Sequence, residues 1–178
     1  MPTINFQPLS CHASSTPPSG LAIAVAARRG AAGELLLDYR LHGLAALALP
    51  PPAVPGPADG LWQQTCCEAF VAPAAGPAYR EFNFAPSGQW AIYDFAGYRL
   101  RNERWQPPGA PRIACRIDSD ALLLSAEIPA TLLPNGAARL GLSVVAATPA
   151  GDKSYWALAH AADQPDFHLA ASFMLPLP

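Results

Sequence analysis

The chain has 178 residues, of which 51% are hydrophobic and 13% charged, with a formal net charge of −2. Such a chain is long enough to bury most of what its unfolded form exposes, and its composition is that of a core-forming domain and not a disordered one. Lys153 is the only lysine, and apart from Arg28-Arg29 the arginines are scattered, so no basic stripe is present to neutralise a phosphate backbone and nucleic acid is not an expected partner.

"MPTINFQPLSCHASS" lacks the basic start and apolar run of a secretory signal, and no apolar stretch approaches the roughly 20 residues that span a bilayer. The expectation is a cytoplasmic protein with no membrane partner. In that compartment Cys11, Cys66, Cys67 and Cys115 read as free thiols. Cys66 and Cys67 are neighbours in an expected strand, so they should point to opposite faces, which argues against a shared metal site.

Twenty-one prolines and thirteen glycines leave little room for long helices. In chain order the expected strands are "TINFQPL", "LAIAVAAR", "ELLLDYRLHG", "LWQQTCCEAFVA", "YREFNF", "QWAIYDF", "PRIACRID", "ALLLSAEIP", "RLGLSVVAAT", "SYWALA" and "FHLAASFML". Eleven short segments at this spacing predict an all-β sandwich or barrel. "RIACRIDSDALLLSAEI" reads as a hairpin turning at Asp118-Ser119-Asp120, and "PATLLPNG" can hold one helical turn. "LPPPAVPGPADG", residues 49–60, is read as a long loop inside a single domain spanning 1–178, because the pieces before it supply only three strands.

"AYREFNFAPSGQWAIYDFAGYR", residues 78–99, packs seven aromatic rings into twenty-two positions. "APSG" has the proline and glycine of a type I turn. With those four residues as the loop, Phe84 faces Gln89, Asn83 faces Trp90, Phe82 faces Ala91 and Glu81 faces Ile92. One face then carries Phe82, Phe84, Ala91, Tyr93 and Phe95 and reads as core. The other carries Tyr79, Glu81, Asn83, Trp90 and Asp94. An aromatic plate beside carboxylates and an amide suits a sugar, whose C–H face stacks on a ring while its hydroxyls hydrogen-bond. A one-residue slip in register would exchange the faces.

Other chemistry has weaker motifs. His160, Asp166 and His168 lie close along the chain and could ligate a metal, or Asp166 could brace the loop as an Asx turn. Glu68 and Glu81 sit in adjacent expected strands, a possible carboxylate pair for glycoside hydrolysis. Met174 is the only internal methionine, with His168 six residues before it, the one candidate axial pair for haem; covalent attachment is excluded by the lack of CxxCH. No calcium loop stands among the thirteen acids, and no GxSxG, HExxH or phosphate-cradling loop is present.

"GLWQQTCCEAFVAP", "AYREFNFAPSGQWAIYDFAGYR" and "SYWALAHAADQPDFH" together resemble the bacterial DOMON-like proteins, of the superfamily that includes the family nine carbohydrate-binding modules. The resemblance covers residues 60–99 and 154–168. It implies a jelly-roll-like β-sandwich with at most one short helix and a ligand surface on one sheet or its rim. Relatives bind sugars or haem, and some hold a structural calcium; neither cofactor is predicted here. The positions it implies for a ligand are Trp62, Glu68, Glu81, Asn83, Trp90, Arg99, Trp156 and His160, with Trp62 and Trp156 as opposed plates and Arg99 for an anionic substituent. The leading expectation is a non-catalytic module for a small polar ligand, a carbohydrate above all. The alternatives are an interaction or structural domain with the tryptophans in the core, and a sugar-directed enzyme using Glu68, Glu81 or His160.

Overall fold

In "LLLDYRLH" every second residue is apolar and buried, and the residues between them are half-buried or exposed. Such a strand has one face in a core and the other toward water. "CCEAFVA", by contrast, is buried at all seven positions, so its strand must be covered on both faces. These two patterns announce two different sheets. The computed structural model describes residues 4–177; Thr3, which opens the first expected strand, lies outside them.

The strands are β1 (Gln7–Pro8), β2 (Ser10–Cys11), β3 (Ala22–Arg29), β4 (Leu35–His42), β5 (Gly56–Pro57), β6 (Cys66–Pro73), β7 (Tyr79–Phe84), β8 (Gln89–Gly97), β9 (Leu100–Arg101), β10 (Arg112–Asp118), β11 (Ala121–Ile128), β12 (Ala137–Ala147), β13 (Lys153–Ala157) and β14 (Leu175–Pro176). The smaller sheet runs β1-β3-β4-β11-β10 and the larger β2-β13-β12-β6-β7-β8-β5, with β14 on β12 and β9 on β8. The pairing is antiparallel except where β5 lies parallel to β8. The two sheets pack as a sandwich over one core, to which Val25, Leu37, Leu41 and Leu124 contribute from one side and Val71, Phe82, Phe84 and Leu142 from the other. All-β architecture is thus as expected, and the helical content among the described residues is four 3-10 turns of three residues each.

Local chemistry accounts for the departures. "LWQQ" forms a 3-10 turn, Leu61–Gln63, entered through Gly60 at φ 72°, so β6 begins only at Cys66. "FHLAASFML" is not a strand: Ala170–Ser172 is a 3-10 turn and only Leu175–Pro176 pairs. Phe173 is drawn onto the larger sheet instead, and Gly141 on β12 makes room for it, since a Cβ there would stand 2.7 Å from the Phe173 ring. The proline-rich 49–60 loop lies along the edge of β8, with Ala53 N–H donating to Ser87 O and Ala58 N–H to Trp90 O. It blunts that edge and delivers Asp59 and Trp62 to the sheet's outer face.

The β7–β8 hairpin carries the main correction. Its loop has three residues, not four: Gly88 N–H donates to Ala85 O, closing a type I turn, and Ala85 N–H donates to Gln89 O. Gly88 sits at φ 92°, the left-handed position of the bulge that follows such a turn. Phe84 therefore pairs with Trp90, Phe82 with Ile92, Glu81 with Tyr93 and Tyr79 with Phe95. The faces read for β7 hold and those for β8 are exchanged. Trp90 packs against the main core, whereas Tyr93 and Phe95 stand on the outer face.

Candidate functional site

The outer face of the larger sheet carries a second, smaller apolar cluster of Phe70, Ala72, Tyr79, Phe95 and Phe173, with Tyr93 and Phe167 packed against it. Beside it opens a cleft of about 720 Å³. Its floor comes from β6, β7 and β8 through Glu68, Glu81, Tyr93 and Phe95, and its rim from Trp62, Arg99, Arg101 and Phe167. The volume lies in the range of small-molecule sites.

Two carboxyls sit in this floor with almost no exposure, Glu68 at 3% and Glu81 at 5%. The β6–β7 register pairs Glu68 with Asn83 and Phe70 with Glu81, which makes the two glutamates diagonal neighbours on one face. Glu68 accepts from Ser143 Oγ at 3.3 Å, and its backbone carbonyl is held from the core side by the Tyr39 hydroxyl at 2.7 Å. Burial, and then the charge of Glu81, push the Glu68 carboxyl well above its usual range. Burial also raises Glu81, opposed by the Asn83 amide, which donates to Oε1 at 2.7 Å, and by the guanidiniums of Arg99 and Arg101. Two like groups thus have unlike surroundings: Glu68 is kept toward the neutral acid, able to donate and accept, and Glu81 is the better anion.

The far wall is a hydrogen-bonded chain. Arg99 N–H donates to Tyr79 Oη at 3.1 Å, and the tyrosine passes its own proton toward His168 Nδ1 at 2.7 Å. That leaves the imidazole proton on Nε2, 3.7 Å from Glu81 Oε2. Burial and then the Arg99 charge lower His168 to about 4, so at neutral pH this contact is polar and not an ion pair. Against the upward push of burial, the Tyr98 hydroxyl, the His168 N–H and Arg99 hold Asp166 below its ordinary value. Tyr93 donates to Asp59 Oδ1 at 2.8 Å; burial and that carboxylate raise the phenol to about 12.

Of the eight expected ligand positions, Trp62, Glu68, Glu81 and Arg99 line this cleft together. Asn83 stands directly behind it, fully buried and bonded to Glu81. The other three are elsewhere. Trp90 is on the core side because of the three-residue loop. Trp156 pairs with Val144, is 6% exposed in the main core and donates to Ser154 Oγ at 2.9 Å, so it is no plate opposite Trp62. Its neighbour Tyr155 is the residue of β13 that reaches the cleft. His160 bonds the Ser10 carbonyl and sets its ring 4.8 Å from His12. Among the lining residues missed are Asp59, Tyr93, Phe95, Arg101, Tyr155 and Phe167, while His168, read for a metal or haem, lines the cleft as well. Gly88 directly after Pro-Ser was the available signal for Tyr93 and Phe95.

The metal-ligating trio is not assembled. Asp166 accepts from the His168 N–H, the Asx-turn alternative, and pairs with Arg99 at 3.0 Å. Among the described residues no cluster of three or more His, Cys, Asp or Glu side chains is placed to hold a metal ion. His168 lines the cleft while Met174 is exposed at a separate shallow cavity, so the two do not present an axial pair for haem. All four cysteines are free, with Cys67 in the main core and Cys66 on the other face beside Asn83.

Two solved structures share this fold. A candidate carbohydrate-binding protein from Bacteroides uniformis superposes with a TM-score of 0.71 at 19% identity, over 96% of this chain and 84% of that one. A family 9 carbohydrate-binding module from Caldicellulosiruptor kristjanssonii, solved in complex with glucose, superposes with a TM-score of 0.50 at 12% identity, over 88% and 80%. The chain therefore shares the two-sheet β-sandwich fold of these proteins. No protein-family profile matches the chain, and no curated protein matches it in sequence.

Proposed function

We propose that the chain is a non-catalytic carbohydrate-binding module whose ligand occupies the cleft on the outer face of the larger sheet. The observation that carries this reading is the pair Glu68 and Glu81, buried yet facing a cleft whose rim holds Trp62, half exposed at 50%. Two carboxyls are costly to desolvate, and apolar residues would serve a merely structural floor better. A sugar hydroxyl both donates and accepts, so it satisfies a neutral acid and an anion side by side. Trp62 offers a ring face to C–H groups, while Arg99 and Arg101, whose guanidinium lies 4.3 Å over the Tyr93 ring, donate to ring or hydroxyl oxygens. The two solved folds support the carbohydrate class without fixing the sugar.

Calorimetric titration with glucose and a panel of other monosaccharides tests this. Binding to at least one sugar is expected, weakened on the order of tenfold or more by Trp62→Ala and by Glu81→Gln, each loss being about 1.4 kcal/mol or more. Absence of binding across the panel, or binding indifferent to both substitutions, would contradict it.

The unlike environments of Glu68 and Glu81 favour one second reading, glycoside hydrolysis with Glu68 as acid and Glu81 as its partner carboxylate. Release of reducing ends from a glycan, lost in both Glu68→Gln and Glu81→Gln, would replace the non-catalytic reading with this one.

A further inference from the structure

The cleft adjoins a second space at Tyr155. On the far side of Tyr155 and Pro165, which line both spaces, lies a second, larger open groove of about 930 Å³. One wall is the 14–19 segment, the other is formed by Thr148, Asp152, Lys153 and Gln164. Lys153 also places its ammonium 5.6 Å over the Trp62 ring, so the lysine that lines the groove touches the rim of the cleft. Tyr155 lies between the two spaces, and its ring meets Phe167 edge-on at 6.1 Å.

From this adjacency we infer that the ligand is a linear oligosaccharide, with one terminal unit in the cleft and the next units passing over Tyr155 into the groove. The inference rests on the carbohydrate reading of the cleft. The chemistry of the groove fits neutral sugar units: Ser15, Thr16, Ser19 and Thr148 supply hydroxyls, Gln164 an amide, and Asp152 and Lys153 bring one charge of each sign. Its walls are also tied to each other before any ligand arrives. Buried His12 takes the Ser14 N–H on Nδ1 at 3.1 Å, and its Nε2 donates to Ala162 O at 3.0 Å, which links the 14–19 wall to the segment carrying Gln164 and Pro165. Pro17 and Pro18 stiffen the first wall further. A groove fixed in this way loses little conformational freedom on binding.

The test is affinity against ligand length, using glucose and gluco-oligosaccharides of two to five units in defined α and β linkages. Affinity is expected to rise on the order of tenfold from one unit to three in at least one linkage series. Ser19→Ala/Gln164→Ala should remove most of that gain, and Gln164→Trp, which fills the groove from an exposed position, should bring oligosaccharide binding down to the glucose level. Glucose binding itself should be unchanged in both variants, and that unchanged affinity reports that they are folded. Equal affinity for every length overturns the oligosaccharide inference and leaves the cleft as a monosaccharide site. Variants that weaken glucose and oligosaccharide equally overturn it as well. Failure of glucose and of every gluco-oligosaccharide to bind overturns it, and the carbohydrate reading falls with it when the monosaccharide panel shows no binding either.

Discussion

The two faces of the larger sheet are built from the same strands, one residue apart, yet they solve opposite problems. On the inner face Cys67, Ala69, Phe82, Phe84 and Val144 meet the smaller sheet in an apolar core. On the outer face Glu68, Glu81, Asn83 and Ser143 are buried just as deeply but remain polar. Removal from water stabilises the first set and penalises the second, so the inner face explains why the chain folds and the outer face why it keeps groups that hinder folding. The lesson is that burial by itself does not mark core. A glutamate between Cys67 and Ala69 in an otherwise apolar buried strand is the residue that calls for a functional explanation.

Substitutions that break the inner face should have the largest effect on stability. Phe82→Ala and Trp156→Ala each remove a large side chain from the main core and should cost about 3–5 kcal/mol in chemical denaturation. A folded Trp156→Ala protein should keep its sugar affinity, because that indole does not line the cleft.

The outer face should instead reveal itself through pH. The folded protein holds His168 at about 4 against an ordinary 6.5, so the unfolded chain takes up a proton first as pH falls. The stabilisation is complete above about 6.5 and is lost as pH drops toward 4. Its size is about 2–3 kcal/mol, some allowance being made for the part of the ring that water still reaches. His168→Gln should therefore differ from wild type by a gap that narrows by about that amount between pH 7 and pH 4. Glu68 has the reverse sign. Its folded value is raised, so its contribution is present at low pH and is lost as pH rises through that value. Glu68→Gln should flatten the fall in stability that begins as pH rises above the ordinary carboxyl range, and a slope identical to wild type would show that the carboxyl is not desolvated.

Trp62→Ala should have the smallest effect on stability. The half-exposed indole sits at the rim, and its loss should leave stability within about 1 kcal/mol while sugar affinity falls. A variant that unfolds would place Trp62 with the inner face after all.

Much of this contrast was legible in the chain before the fold. The all-β architecture follows from strand spacing, and the β10–β11 hairpin from turn chemistry, although its turn is Ser119-Asp120 and Asp118, expected in the turn, pairs with Ala121. Half of the site was legible for the same reason: Glu68, Glu81 and Asn83 lie on strands whose parity was right. The other half failed at Gly88. Counting four loop residues in place of three puts Trp90 outside and Tyr93 and Phe95 inside, the reverse of what forms. Phe167 and His168 escaped for a different reason. They open the expected strand "FHLAASFML", which does not form, because the segment is laid over the sheet by contacts with Phe70, Tyr79 and Phe95 that no local pattern encodes.

The central claim is that the ligand sits on the outer face, and amide NMR of the labelled protein titrated with glucose and the longer gluco-oligosaccharides tests it most directly. The account predicts saturable shifts concentrated at residues 60–62, 68, 81, 93–95 and 99–101, extending with the longer ligands to 148–155 and 164. Shifts gathered on the smaller sheet around Asp38 and Arg116, or no shifts at millimolar sugar, would contradict it.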